Sequence, residues 1–286
     1  MIPELLAISS AILLAMERIF TKKGLLTSSV TSGLMINLSV ASVTLWLIAI
    51  IFFPTQNINP TAILFFVLAG IIGPFLGRLL LFDGLHRLGA ALASTLNGVY
   101  PLFASLIAII LLGEKITLLI FIGTLSIFLG VGIISWTKSG HRLKFRKLYL
   151  IIPILAALFF GFADSIMKFG LNLMGFPIIG SAVMSTTALA SLTLFLICKG
   201  DFSLPIREEG SIYLVISGII ASFFLIAFFT ALSFGTVVLV SPLTGTSPLF
   251  VLLFSHLFLK GIEKVTRHLA IGAIVIIVGS ALVAIG

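Results

Sequence analysis

Residues 89–112 read GAALASTLNGVYPLFASLIAIILL, and residues 235–258 read GTVVLVSPLTGTSPLFVLLFSHLF. Each run opens on a glycine, carries hydroxyl groups and proline near its middle, and is long enough to cross about 30 Å of hydrocarbon as a helix. The Pro-Leu-Phe triplets at 101–103 and 248–250 align. Two related apolar segments in one chain predict an internal duplication in a membrane protein.

The similarity extends over nearly the whole chain, at an offset of 146 to 149 positions. A Lys-x-Gly-Leu pattern at 22–25 recurs at 168–171. The further matches are Gly89 with Gly235, Glu114-Lys115 with Glu263-Lys264, Gly123 with Gly272, and Gly130 with Gly279. Chance can produce one such match, but an ordered series is typical of a duplication.

A window of about 19 residues predicts ten apolar spans, five in each half. We number them spans 1 to 10, at residues 3–22, 30–53, 61–83, 89–112, 116–136, 149–170, 176–198, 211–233, 236–259 and 267–285. They form a first repeat at 1–137 and a second repeat at 149–286, joined by a basic cytoplasmic linker at 138–148. Because five is odd, the second repeat must face the opposite way, as in secondary transporters. We therefore predict an all-α integral membrane protein, with about ten transmembrane helices in two inverted five-helix repeats around a central cavity.

The composition agrees with lipid as the solvent. Apolar residues make up 60% of the 286 residues and charged residues 9%, whereas a soluble domain carries about 25% charged residues. The net charge of +8 does not indicate a nucleic-acid partner, because the basic residues lie in short loops between apolar spans. The one cysteine, Cys198, cannot form an intrachain disulfide. We predict a multi-pass protein of the cell membrane, embedded in the lipid bilayer.

The distribution of lysine and arginine predicts how the chain faces. The loops that follow spans 1, 3, 5, 7 and 9 hold most of these residues, whereas the loops after spans 2, 4, 6 and 8 hold only Lys115, with Lys168 at a helix end. Because cytoplasmic loops are enriched in positive charge, the first set of loops is predicted to be cytoplasmic. Both termini would then lie outside.

The recurring Lys-x-Gly-Leu, the glycine that opens spans 4 and 9, the mid-helix proline, the Gly-Glu-Lys turn and the glycine-rich fifth span together resemble a known family. It is the drug/metabolite transporter superfamily, specifically its EamA-type members, and the stretch from Gly89 to Gly132 is the closest match. The resemblance implies that spans 1–4 and 6–9 surround a substrate cavity, with spans 5 and 10 at the periphery. It also implies export or exchange of small metabolites, and it does not fix the substrate.

Two features depart from the pattern of that family. The second turn, Gly261-Ile262-Glu263-Lys264, contains one residue more than Gly113-Glu114-Lys115, so its conformation should differ. Structurally described relatives have cytoplasmic termini, whereas the charges of this chain favour external ones. The accessibility of a terminal tag distinguishes the two orientations.

Charged residues at membrane depth need a partner or a water-filled cavity. The candidates for a substrate site are Glu17, Arg18, Arg78, Asp164 and Lys168. If spans 1 and 3 are neighbours, Glu17 and Arg78 can pair and leave Arg18 facing the cavity; a structural ion pair or snorkelling to the headgroups is the alternative. Asp164 and Lys168 lie four residues apart and can neutralise each other. Alternatively, Asp164 exchanges a proton, which would couple transport to protons.

Spans 4 and 9 are polar and contain proline and glycine near their middle. Proline removes a backbone donor, and nearby hydroxyls can satisfy the freed carbonyl or bind a ligand. Interrupted helices at matching places in two halves indicate a central site, although a kink can also serve packing alone. The residues expected to line the cavity are Asn97, Tyr100, Thr244 and Ser247. His256 is a further candidate, although a lone histidine near a helix end is more often hydrogen-bonded within the bundle.

Glycines spaced along one helix face predict close packing between helices. Such sets are Gly123 with Gly130 in span 5, Gly272 with Gly279 in span 10, and Gly73 with Gly77 in span 3. A homodimer interface on spans 5 or 10 is the alternative, so we expect a monomer or a homodimer.

Taken together, these features predict a secondary transporter that moves a small metabolite by alternating access, as an exporter or an exchanger. Cationic and acidic candidates together favour an amphoteric or anionic solute, such as an amino acid. The alternatives are a multidrug or organic-cation efflux carrier and a nucleotide-sugar or phosphometabolite exchanger. We find no Walker loop, HExxH or Gly-x-Ser-x-Gly motif and no metal-ligand spacing, so we predict no enzyme, cofactor or metal. A channel is disfavoured because no filter-like repeat occurs.

Overall fold

The structure is a computed structural model that describes residues 1–52, 58–88, 96–136, 147–200, 210–258 and 267–286. Within these ranges the chain is helical and contains no strand. Gly89, the turn at Glu263-Lys264 and nearly all of the linker at 138–148 lie outside the described residues.

The described helices follow the predicted spans. Their bounds are Ile2–Gly24 (span 1), Val30–Ile51 (span 2), Pro60–Gly70, Ile71–Gly77 and Arg78–Leu88 (span 3), Tyr100–Leu112 (span 4), Leu118–Trp136 (span 5), Ile151–Leu173 (span 6), Pro177–Lys199 (span 7), Ser211–Phe234 (span 8), Val237–Thr244 and Ser247–Phe258 (span 9), and Arg267–Ile285 (span 10). Within the described ranges, five helices, in spans 2, 3, 6, 7 and 8, are long and apolar enough to cross a membrane by themselves. Spans 4, 5, 9 and 10 contain shorter apolar helices, and span 1 carries several charged residues.

Span 3 changes its hydrogen-bond register near its middle. Pro74 lies inside a π-helical segment, Ile71–Gly77, because proline cannot donate the backbone hydrogen bond of a regular α-helix. Gly73 and Gly77 of this segment face span 6, where a Cβ atom on Gly73 would lie 2.7 Å from the Cβ atom of Ala163. The small-residue pair therefore serves packing between spans 3 and 6.

Eight spans form a closed ring in the order 1, 8, 2, 7, 3, 6, 4 and 9. Successive members of this ring alternate between the two repeats, and exchanging the repeats returns the same order. Close contacts between backbones follow the same symmetry. Gly70 packs against the carbonyl group of Met184, and Gly218 packs against that of Asn37. Both members of the second contact lie 147 or 148 positions from their counterparts in the first. The arrangement confirms the predicted fold of two inverted five-helix repeats.

Spans 5 and 10 pack against each other outside the ring. A Cβ atom on Gly123 would lie 2.6 Å from the carbonyl oxygen of Gly279, and one on Gly130 would lie 2.8 Å from that of Gly272. Such close backbone contacts are possible only because the residues at these positions have no side chain. The glycine pairs therefore join the two repeats within one chain.

Candidate functional site

The polar residues of spans 4 and 9 lie where these helices are interrupted. The first helix of span 9 ends at Thr244 and the second begins at Ser247, while a turn at Gly98-Val99 precedes the span 4 helix that starts at Tyr100. Backbone groups freed inside a bundle need side chains or enclosed water as partners. The interruptions thus supply hydroxyl and amide groups beside the charged residues of spans 1 and 6.

Asp164 of span 6 is buried and accepts two hydrogen bonds on one carboxylate oxygen. The donors to Oδ2 are the Tyr100 hydroxyl of span 4, at 3.0 Å, and the Ser241 hydroxyl of span 9, at 2.7 Å. The other oxygen, Oδ1, accepts none from the described residues. The interpretation in which Lys168 neutralises Asp164 does not hold here, because Lys168 binds backbone carbonyls instead.

The side chain of Lys168, in span 6, contacts the end of the span 8 helix. Its Nζ donates to the carbonyl oxygens of Leu232 and Gly235, at 2.6 and 2.8 Å. These carbonyls are left without partners where the span 8 helix ends, and a cation there also complements the helix dipole. The structure therefore gives Lys168 a capping contact, while a role in substrate binding stays a prediction.

Glu114→Ala is expected to lower the free energy of unfolding by about 2 kcal/mol. The Glu114 carboxylate accepts from the backbone N–H groups of Val237 and Val238, each at 3.0 Å, in the first turn of span 9. Its removal leaves both donors without a partner. Thermal unfolding measures the loss, with the exposed neighbour Lys115→Ala as the control. An equal loss in the two variants would show that the carboxylate does not cap this helix.

Arg18 of span 1 is the repeat counterpart of Asp164. Its Nη1 donates to the hydroxyl of Ser247 in span 9, at 3.3 Å, and Ser247 is the counterpart of Tyr100, 147 positions apart. Arg18–Ser247 and Asp164–Tyr100 are therefore the same contact in the two repeats, with opposite charges. Arg18 makes this one hydrogen bond within the described ranges, so most donors of its guanidinium stay available.

Asn97 and Thr244 also occupy equivalent positions and contact equivalent spans. Asn97 donates to the carbonyl oxygen of Pro153 in span 6, at 3.2 Å. The Thr244 hydroxyl lies 2.9 Å from that of Ser10 and 3.5 Å from the carbonyl oxygen of Ala7, the counterpart of Pro153, in span 1. Both side chains are buried. They connect the interrupted spans to their neighbours, and lining a cavity stays a prediction for each.

Glu17 and Arg78 are linked through Asn37 of span 2. Asn37 Nδ2 donates to Glu17 Oε1, at 3.3 Å, and to the Ser217 hydroxyl of span 8, at 2.9 Å. Arg78 Nη1 donates to Asn37 Oδ1, at 2.8 Å. Spans 1 and 3 are not consecutive in the ring. Glu17 and Arg78 therefore do not pair directly, and the Asn37 amide bridges them instead.

The contacts of Arg18 and Asp164 lie close to the contacts that Asn37 makes with Glu17 and Arg78. Arg18 lies within electrostatic range of Glu17, Arg78 and Tyr100. We call the set the interior cluster, and its members are Glu17, Arg18, Asn37, Arg78, Tyr100, Asp164, Ser217, Ser241 and Ser247. The side chain of His256 lies outside the described residues. Among the side chains that are described, no three His, Cys, Asp or Glu residues are grouped to hold a metal ion.

The polar residues that have defined contacts but were not among the predicted candidates include Glu114, Asn37, Ser217 and Ser241. Asn37 carries the clearest signal, since a carboxamide inside an apolar span is expensive to bury without partners. Ser241 directly precedes Pro242, at the interruption that the sequence does reveal. Such signals indicate that a residue has a partner but do not say which one.

Comparisons with known proteins cover nearly the whole chain. A family model described as "EamA-like transporter family" matches residues 1–136 and 147–285. An Archaeoglobus fulgidus protein described as "Uncharacterized transporter" is 25% identical over 277 residues, which cover 97% of this chain and 96% of that protein. A solved structure described as "Crystal structure of protein" superposes with a TM-score of 0.80 at 17% identity, covering 99% of this chain and 98% of that one. The last likeness shows the fold alone.

Proposed function

This chain belongs to the EamA-like transporter family, and from that premise we propose that it carries a small amphoteric solute, such as an amino acid, across the cell membrane. It works as a secondary transporter, by alternating access, and exports or exchanges its solute without converting it chemically. The interior cluster, rather than the family membership, suggests the class of solute.

The observation that carries this proposal is the pair of opposite charges at equivalent positions of the two repeats. Arg18 is held by one hydroxyl of the interrupted spans, that of Ser247, and Asp164 by two, those of Tyr100 and Ser241. Arg18 keeps guanidinium donors for a carboxylate, and Asp164 keeps Oδ1 for an ammonium group. A solute with both groups can neutralise both residues at once, which a simple cation or anion cannot do.

The same symmetry supports the proposal of alternating access. In inverted-repeat transporters, one repeat rocks against the other around a site near the middle of the membrane. Here Arg18, Ser247, Tyr100 and Asp164 belong to spans 1, 9, 4 and 6, which are consecutive in the ring. A shift of one repeat relative to the other would therefore change the contacts of the charged residues on both sides of the solute.

Counterflow in proteoliposomes tests the solute class. Vesicles loaded with an unlabelled amino-acid mixture are expected to accumulate labelled amino acid in a saturable way, and protein-free vesicles are not. Competition by free amino acids is expected to exceed competition by their methyl esters or N-acetyl derivatives at least about tenfold, because each derivative lacks one of the two charges.

Three results would contradict the proposal. Saturable exchange of organic cations or nucleotide sugars, without exchange of amino acids, would favour one of the other transporter classes. Flux that rises linearly and never saturates would indicate a channel. Chemical conversion of the solute would indicate an enzyme.

A further inference from the structure

Asn37 has the most connected side chain of the interior cluster. It is 3% exposed and joins four spans, because its amide contacts Glu17 of span 1, Arg78 of span 3 and Ser217 of span 8. The oxygen of the amide faces the cation, and its nitrogen faces the anion. Reversing the amide would set donor against donor at Arg78, so these contacts fix its orientation.

The fold does not require this arrangement, because the other repeat lacks it. The counterparts of Glu17, Asn37 and Arg78, 146 to 148 positions later, are Ala163, Met184 and Ile226. All three are apolar, although the surrounding helix contacts are equivalent in the two repeats. A polar link present in only one of two equivalent places points to a role other than holding the helices together.

The amide separates two opposite charges that would otherwise meet. Inside a protein, a carboxylate and a guanidinium attract each other far more strongly than in water. A direct bidentate contact with Glu17 would occupy the donors of Arg78. With Asn37 in place, Arg78 donates one hydrogen bond to the amide oxygen and makes no other within the described part of the chain.

We propose that Asn37 is a positioning residue of the transport site, which keeps Glu17 from capturing Arg78 and so leaves the Arg78 guanidinium available, as a second cation beside Arg18, to the anionic group of the solute. This inference rests on the proposed function for the identity of the solute. The separation of the two charges by the amide does not depend on that identity.

Transport kinetics of Asn37→Leu give the first test. Without the amide, Glu17 and Arg78 are expected to pair directly, and the apparent KM for amino-acid counterflow rises about tenfold while Vmax changes little. Adding Glu17→Gln to this variant frees Arg78 and restores most of the affinity. Ser42→Ala serves as the matched control, because it removes another buried polar contact of span 2, to Ser185 at 3.1 Å, without touching either charge.

Thermal unfolding gives a second test that needs no solute. In the Asn37→Leu background Arg78 depends on Glu17 alone, so Glu17→Gln is expected to lower Tm by about 5 °C more than it does in the wild-type background. The double variant would thus bind better and be less stable than Asn37→Leu. A residue that only stabilises the fold would move both properties in the same direction.

The outcomes separate the two proposals. Absence of amino-acid counterflow in the wild type refutes the proposed solute, and the unfolding comparison then decides the role of Asn37 alone. Equal Tm losses from Glu17→Gln in both backgrounds would overturn that role. So would an unchanged KM in Asn37→Leu, or a double variant whose KM stays as high as that of Asn37→Leu.

Discussion

Arg18→Gln and Asp164→Asn are each expected to reduce amino-acid counterflow about 100-fold at a subsaturating solute concentration. Truncating one partner of a desolvated charge pair costs about 2–5 kcal/mol, and about 2.7 kcal/mol corresponds to that factor. Asp164→Asn keeps a side chain of the same shape that can still accept the hydrogen bond of Tyr100, so its loss reports on the missing charge. Gln is shorter than Arg, so Arg18→Gln loses the contact with Ser247 as well as the charge, and the selectivity of the variant separates the two effects.

The two variants should fail in different ways. Arg18→Gln loses one of the two cations that we assign to the solute carboxylate, so the advantage of free amino acids over their methyl esters should shrink. Asp164→Asn loses the group that we assign to the ammonium, so the advantage of free amino acids over their N-acetyl derivatives should shrink. Exchanged selectivities, or unchanged selectivity in both variants, would place the binding groups of the solute elsewhere.

The control for this pair is Ser126→Ala in span 5, outside the ring. The Ser126 hydroxyl donates to the carbonyl oxygen of Ile122 in its own helix, at 2.8 Å, so its removal should affect neither packing nor charge in the interior cluster. Its counterflow should equal that of the wild type. Monodisperse elution and a Tm near that of the wild type would establish that Arg18→Gln and Asp164→Asn are folded.

The spans and their interruptions could be predicted because they depend on local composition. About 20 consecutive apolar residues form a helix in lipid, since no other structure satisfies their backbone groups there. The break after Thr244 follows from Pro242 and Gly245 in the same way. The glycine faces of spans 5 and 10 needed only the helical period, although the partner of each face did not follow from it.

The side-chain partners could not be predicted, because they depend on the lateral order of the helices. Asn37 contacts residues that are 20, 41 and 180 positions away. Asp164 contacts residues 64 and 77 positions away, although Lys168 lies only four positions along the same helix. Neither hydropathy nor periodicity records which spans are neighbours. The facing of the chain in the membrane likewise stays a prediction from its charges.

Gly70→Leu and Gly218→Leu are expected to leave little folded protein, and to do so to the same extent. A Cβ atom on Gly70 would lie 2.5 Å from the carbonyl oxygen of Met184, and one on Gly218 would lie 2.9 Å from that of Asn37. Because backbone atoms block each position, span 3 must move away from span 7, or span 8 from span 2. Overpacking of this kind costs about 3 kcal/mol or more. The yield of monodisperse protein and its Tm measure the effect.

Gly132→Leu is the matched control, because nothing lies within 4 Å of a Cβ atom at Gly132 in span 5. The same change of residue there should leave yield and Tm close to those of the wild type. The comparison between Gly70 and Gly218 then tests the inverted repeat itself, since the two glycines make one contact seen from each half. If only one of the two substitutions prevented folding, the interface of spans 3 and 7 and that of spans 8 and 2 would differ in how closely their backbones pack. The halves could then not exchange packing arrangements, as alternating access in an inverted-repeat carrier requires.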